Sequence, residues 1–268
     1  GPEAGAGAAG AENYRSASGE FFLEWYSGCL VAHGARVLEA ASSVFGRPED
    51  RPIALSIKCA GVHWWFNSRS HSAELTAGYY NTRYRDGYDD IAQLCARYDA
   101  HLNFTCVEMR DMEHPDEACC SPEGLLRQVR GAAARWGVPV AGENALTRFD
   151  GSAYDRVVDN AVGVLGEGVD DELDPSLEGT VPPMAAFTFL RLTPMLFEEH
   201  NMGEFVSFVS RIKGATAESA VAMMAHTSEL LGLQAGAGDE GEGGEDAETA
   251  TTAADEARQE DGDAVSRQ

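Results

Sequence analysis

The stretch Val138-Pro-Val-Ala-Gly-Glu-Asn-Ala-Leu-Thr-Arg-Phe-Asp150 decides the fold. It opens as a short apolar run and closes in a polar turn. An apolar run over 138–142, bounded by Gly137 and by polar residues, reads as a buried strand. Glu143 stands where the run stops, and Asp150 can cap a helix over about residues 152–162. A carboxylate at the end of a buried strand, with a helix to follow, is the arrangement in which α/β enzymes place their chemistry.

Working outward, the same pattern recurs. Residues 52–58, 101–106 and 184–190 each read as a short strand, ending near Lys58, Thr105 and Arg191. A helix is expected over 18–45, with Leu23, Tyr26, Leu30, Val37, Ala41 and Val44 at helical spacing, before Gly46 and Pro48 end it. Further helices are expected over 70–80 and 88–98. Ser121 followed by Pro122 is a helix start, running to about Trp136, and Gly137 closes it. Asn201 is expected to cap a helix carrying Phe205, Phe208, Val209 and Ile212 on one face, and a last helix is expected over 216–232. Four strand–helix units in a row suit a parallel sheet with right-handed crossovers. They amount to half of a (β/α)8 barrel, or to a small doubly wound sheet.

In a parallel sheet the four strand ends meet on one face. Lys58, Thr105, Glu143 and Arg191 are then neighbours at the edge where such folds build sites. The loop His63-Trp64-Trp65 follows the first strand and offers aromatic faces and a hydrogen-bonding imidazole, a combination suited to sugars. The segment Asn103-Phe-Thr-Cys-Val-Glu-Met-Arg-Asp111 crowds polar groups behind the second strand, which is costly unless they are paired or functional. Asn144 beside Glu143 supplies an amide that can orient an acid or base.

Composition narrows the classes. The chain of 268 residues has 20 Lys and Arg against 44 Asp and Glu, a net charge of −24. That argues against nucleic acid or an anionic membrane as a partner, and no apolar run approaches the roughly 20 residues needed to span a bilayer. No Gly-x-Gly-x-x-Gly or phosphate-loop pattern stands at the turn of a strand–helix unit, so no nucleotide cofactor is expected. Of the six cysteines, Cys29, Cys59, Cys95, Cys106, Cys119 and Cys120, none makes a Cys-x-x-Cys pair. A structural metal site is therefore not expected, and the cysteines read as reduced thiols. Residues 1–17 are Gly- and Ala-rich and read as a flexible lead-in to a domain over 18–233. The acidic segment over 163–183 reads as a surface insertion. The tail over 234–268 has no aromatic residue and is expected to be disordered, because from Ala235 it carries eleven acidic residues against two Arg.

Specific motifs carry a resemblance. Gly61-Val-His-Trp-Trp65, His71-Ser-Ala-Glu-Leu-Thr-Ala-Gly-Tyr-Tyr-Asn81, Arg85-Asp-Gly-Tyr88, Leu102-Asn-Phe-Thr-Cys-Val-Glu-Met-Arg-Asp111, Ala141-Gly-Glu-Asn-Ala-Leu146 and Phe189-Leu-Arg-Leu192, with Gly19-Glu-Phe-Phe-Leu-Glu-Trp-Tyr-Ser27, resemble plant-type β-amylases, glycoside hydrolases of family 14. The likeness covers about residues 19–213. It implies a (β/α)8 barrel and release of β-maltose from the non-reducing ends of α-1,4-glucans such as starch, with inversion. It also implies that Glu143 is the general base and that Lys58, His63, Thr105, Asn144, Ala145 and Arg191 contact substrate. Thr105 would lie on an inner loop that closes on substrate. No cofactor is implied. An inverting glycosidase needs a second carboxyl about 6.5–9.5 Å from the first.

That second group is where the sequence departs from the family. The family's general acid sits in a Gly-Pro-Ala-Gly-Glu-Leu-Arg-type motif of the first half of the barrel, and no such motif occurs here. The chain also does not begin with Met. It is expected to carry only the second half of the barrel, strands five to eight, as a truncated β-amylase that is inactive alone. The alternative is a non-catalytic glucan-binding or regulatory protein. The chain shows no signal or transit-peptide pattern; starch metabolism points to a plastid or the cytoplasm.

Overall fold

A computed structural model of the chain describes residues 16–46, 48–68, 78–163 and 181–230. The lead-in through residue 15, most of the expected helix over 70–80, the acidic segment over 164–180 and the tail from 231 lie outside the described residues. The site and its supporting elements belong to the compact unit that ends at Thr227. No helix among the described residues is long and apolar enough to cross a membrane.

Four strands form one sheet, β1 (Leu55–Cys59), β2 (Ala100–Phe104), β3 (Val140–Glu143) and β4 (Ala186–Thr188). They lie in chain order and every pair is parallel. The helices are α1 (Ala17–Phe45), α2 (Asp89–Arg97), α3 (Pro122–Arg135), α4 (Gly151–Ala161) and α5 (Glu199–Leu230). Sequential parallel strands with intervening helices are the barrel pattern rather than the doubly wound one, whose strand order reverses at a switch point.

The pleat sends alternate side chains to opposite faces, and the two faces differ. Ala100, Leu102 and Phe104 of β2 are buried against the helices together with Leu94, Cys95, Leu125, Val129 and Ala133. The intervening His101 and Asn103 share the other face with Lys58, Ala141 and Glu143 through the register Lys58↔Asn103↔Ala141. Parallel sheets are usually buried on both faces. Here one face carries the core and the other carries polar groups, as on the inner wall of a barrel at its mouth.

The capping signals hold. The Ser121 hydroxyl accepts from the Gly124 amide at 3.1 Å and starts α3, and the Asp150 carboxylate accepts from the Ala153 amide at 3.1 Å and starts α4. Four expectations are corrected. The helix expected over 216–232 is not a separate one; α5 runs unbroken from Glu199 to Leu230, the last described residue, through Gly203 and Gly214, because a Gly inside a helix costs only about 1 kcal/mol and need not end it. Asn201 is not the cap of that helix but lies within its first turn and donates to the Met195 carbonyl at 2.8 Å. The stripe on α1 is shifted: Leu23, Ser27 and Leu38 are buried while Leu30, Val37 and Val44 are exposed. The strands are also shorter than the apolar runs. The left-handed backbone of Cys106 (φ 66°) stops β2. Past β4, the Leu190 amide bonds the Asn144 side-chain oxygen at 2.8 Å instead of a strand.

Gly142 on β3 is required by close approach. A Cβ on Gly142 would stand 2.8 Å from Met184 Sδ and 3.0 Å from Val107 Cγ2. Overpacking of this kind costs about 1–3 kcal/mol. Gly142→Ala is expected to lower the unfolding free energy, read from chemical denaturation, by that amount, with Gly137→Ala as a contrast in which backbone strain acts in open space (φ 65°). A midpoint unchanged in Gly142→Ala would show that β3 and its neighbours are loosely packed.

Candidate active site

Glu143 is the last residue of β3, and its side chain is 3% exposed. A buried carboxylate is expensive unless it is paired. Its Oε1 makes an ion pair with the Lys58 ammonium, which reaches in from β1 across β2 while remaining 55% exposed. The expected convergence of Lys58 and Glu143 is thus present, built by two strands that do not touch. Between them, the Asn103 side-chain oxygen is buried without a hydrogen-bond partner among the described residues. Buried polar atoms are nearly always satisfied, so this oxygen is a group poised for a donor on the inner face.

The loop after β3 is held at both sides of one peptide. Glu108 Oε1 accepts from the amides of Ala145 at 2.8 Å and Leu146 at 2.7 Å. Arg191, from beyond β4, donates to the Ala145 carbonyl through Nε at 3.1 Å and through a terminal nitrogen at 2.5 Å. Asn144 spans the same gap, donating to the Leu146 carbonyl at 3.0 Å and accepting from Leu190. Asn144, Ala145 and Arg191 therefore come together, and their mutual bonds fix the peptide that follows Glu143. Burial pushes the Glu108 carboxyl up, against the pull of the bonds from Leu146 and Ala145.

Thr105 sits just past β2, where its hydroxyl accepts from the Gly61 amide at 3.0 Å. This ties the loop after β1 to the loop after β2. Gly61 permits the approach, since a Cβ there would stand 3.0 Å from the Phe104 ring and 3.1 Å from Cys106 Sγ. His63 follows on this loop and is 9% exposed. Burial and the neighbouring His114 push its imidazole down to about 4, against a smaller opposing effect of Asp111, so the ring is neutral near pH 7. Trp64 is exposed, its ring edge-on to His63 at 5.4 Å between centroids.

The crowded segment after β2 is resolved by pairing. Besides Glu108, Asp111 accepts from the Ser121 hydroxyl at 2.7 Å and the Glu123 amide at 2.9 Å, while Glu123 accepts from the Asp111 amide at 2.8 Å. These carboxylates dock the segment on the start of α3, where an N-terminus favours negative charge. Two features escaped the sequence. One is Glu108 as the anchor of the Glu143 loop, for which the polar crowding was the only signal. The other is a cluster of His63, His114 and Cys120, whose ligand atoms lie within 4.8 Å of one another. Spacing arguments miss it because its members come from two separate segments. The core thiols are inert: burial pushes Cys59 and Cys95 up to about 12 and Cys106 up to about 11.

Chemically, the arrangement offers a buried carboxylate beside a cation, an oriented following peptide, and an aromatic and imidazole wall. That set can activate a water against a bound polyhydroxylated ligand. The family model described as glycosyl hydrolase family 14 matches residues 1–218. The protein named beta-amylase 1, chloroplastic, of Oryza sativa subsp. japonica is 53% identical over 194 residues, 72% of this chain and 33% of that protein. Its Arabidopsis thaliana namesake is 48% identical over 199 residues, 74% of this chain and 33% of that protein. The beta-amylase of Zea mays is 43% identical over 199 residues, 74% of this chain and 38% of that protein. The crystal structure of the catalytic domain of the beta-amylase from Paenibacillus polymyxa superposes with a TM-score of 0.55 and 26% identity, covering 75% of this chain and 43% of that one. The chain thus spans between a third and two fifths of the length of these plant relatives.

Proposed function

The chain belongs to glycosyl hydrolase family 14, and from that premise we propose that it supplies the base-bearing part of a β-amylase-type barrel acting on α-1,4-glucans. The observation that carries the reading is the Lys58–Glu143 ion pair on the inner face of the sheet. Glu143 takes a proton from the attacking water as the water adds to the anomeric carbon. Lys58 holds the carboxylate in place beforehand through the ion pair. Inversion follows because water attacks from the face opposite the leaving oxygen, which a second carboxylic acid protonates. On this reading Asn103, His63 and Thr105 bind sugar hydroxyls, and Trp64 offers a ring to a sugar face.

The acid partner is not assigned to any residue of this chain. Glu108 is committed to two amides, and Asp111 to the start of α3. The outer edges of β1 and β4 pair with no other strand among the described residues. Leu190, Leu192, Met195 and Phe197 beside β4 are exposed. Strands completing a barrel would cover these groups. Incubated alone with soluble starch, the 268-residue chain is expected to release no maltose, as measured by chromatography of the products. Measurable turnover would show that the second carboxyl is present after all. Binding of maltotetraose without turnover, followed by calorimetry, is the result expected if the chain serves as a glucan-binding module.

A further inference from the structure

We propose that His63, His114 and Cys120 form a binding site for a divalent transition metal of the zinc class. Each offers one ligand atom, and the three atoms lie within 4.8 Å of one another. Ligand atoms around a tetrahedral zinc, at bond lengths of about 2.0–2.3 Å, stand about 3.3–3.7 Å apart. Small side-chain rotations therefore close the set. Two imidazole nitrogens and one thiolate suit zinc or cobalt and not calcium or magnesium, which take oxygen ligands.

Two observations independent of the spacing point to a ligand. His63 Nδ1 and His114 Nε2 are both buried and without a hydrogen-bond partner among the described residues, although the rings lie 4.8 Å apart, tilted by 42°. Two neighbouring imidazoles that each leave a buried nitrogen unpaired are costly as they stand, and a cation shared between them removes that cost. The two segments carrying the ligands are also locked together by their backbones. The Ser121 amide donates to the His63 carbonyl at 3.0 Å, Trp65 to Ala118 at 2.9 Å, and Asn67 to Cys119 at 3.0 Å. The Asp111 carboxylate acts on both His63 and Cys120 and adds negative charge beside the set.

With three protein ligands, one position remains for water or a hydroxyl. Because the glucan reading also sets His63 against sugar, a bound ion withdraws that imidazole from it. Metal and glucan then compete. This consequence rests on the glucan reading, whereas the metal site itself does not.

The test uses the reduced 268-residue chain titrated with Co²⁺ and followed by absorption spectroscopy, with Zn²⁺ displacement afterwards. The expected result is one tightly bound ion per chain, with thiolate-to-cobalt charge-transfer absorption that zinc abolishes. Cys120→Ser is expected to lose that absorption. His114→Gln is expected to weaken binding by at least the roughly 10–100-fold that loss of even a supporting group costs at a metal site. Cys119→Ser, which changes the adjacent thiol outside the set, is expected to keep both signals, and circular dichroism checks that each variant is folded. Absence of the charge-transfer absorption in the unmodified chain overturns the proposal, as does its persistence in folded Cys120→Ser or its loss in folded Cys119→Ser. If cobalt binds but maltotetraose does not, the competition with glucan falls and the metal site stands.

Discussion

Glu143→Gln, introduced into a chimera in which this chain replaces the matching region of the rice relative, is expected to lower maltose release by about 10²–10⁴-fold. The amide keeps the shape and the buried position of the carboxylate but cannot accept a proton from water. The loss should fall on kcat with KM little changed, because the change leaves untouched the other residues proposed to meet substrate. Folding should be preserved, since the Lys58 ammonium freed by the change is half exposed and stays hydrated. A rate close to that of the unmodified chimera would remove Glu143 from the role of base. An unfolded variant would instead show that the ion pair holds the strand ends together.

Glu108→Ala is expected to be the most destabilising single change in the site. The carboxylate receives two backbone amides and is 2% exposed. Hydrogen bonds to a charged group contribute about 1.5–3 kcal/mol each, and their loss leaves two buried donors unpaired. A drop of about 3–5 kcal/mol follows, or roughly 10 °C in Tm for a domain of this size. Glu108→Gln should behave differently, because its side-chain oxygen accepts the same amides without a charge. The sign with pH follows from burial, which raises the Glu108 carboxyl above its ordinary value. The cost of keeping it ionised is absent below the unfolded value and grows as pH rises through the raised folded one. The Gln variant should therefore gain stability relative to the unmodified chain toward neutral pH and lose that advantage in acid. Equal Tm values for the Ala and Gln variants across pH would mean that the amides find other acceptors.

Much of this was legible in the sequence. The strand–helix alternation gave the parallel sheet, because strand, cap and terminator residues recur in one order. Ser121 and Asp150 announced their helices through chemistry that acts over three residues. Strand ends placed Lys58 and Glu143 together, since parallel pairing carries side chains of one phase to one face. What stayed hidden depends on contacts between segments far apart in the chain. The anchoring role of Glu108 needs the loop after β3 to fold back over β2. The shift of the buried stripe on α1 depends on which side the sheet occupies, and apolar spacing alone admits a rotation of that kind. The separate helix expected from residue 216 is instead part of α5, because a helix tolerates a glycine such as Gly214 where nothing competes for the backbone.

The peptide after Glu143 is gripped by a residue from behind β2 on its amide side and by one from beyond β4 on its carbonyl side. Three strand ends thereby share one lock, and none of their loops can be altered independently. Substitutions at Glu108, Asn144 and Arg191 should be epistatic, each changing what the others tolerate. In a deep mutational scan these positions would form one coupled block. In protein engineering, a loop exchanged at the end of β2 would have to be exchanged together with that of β4.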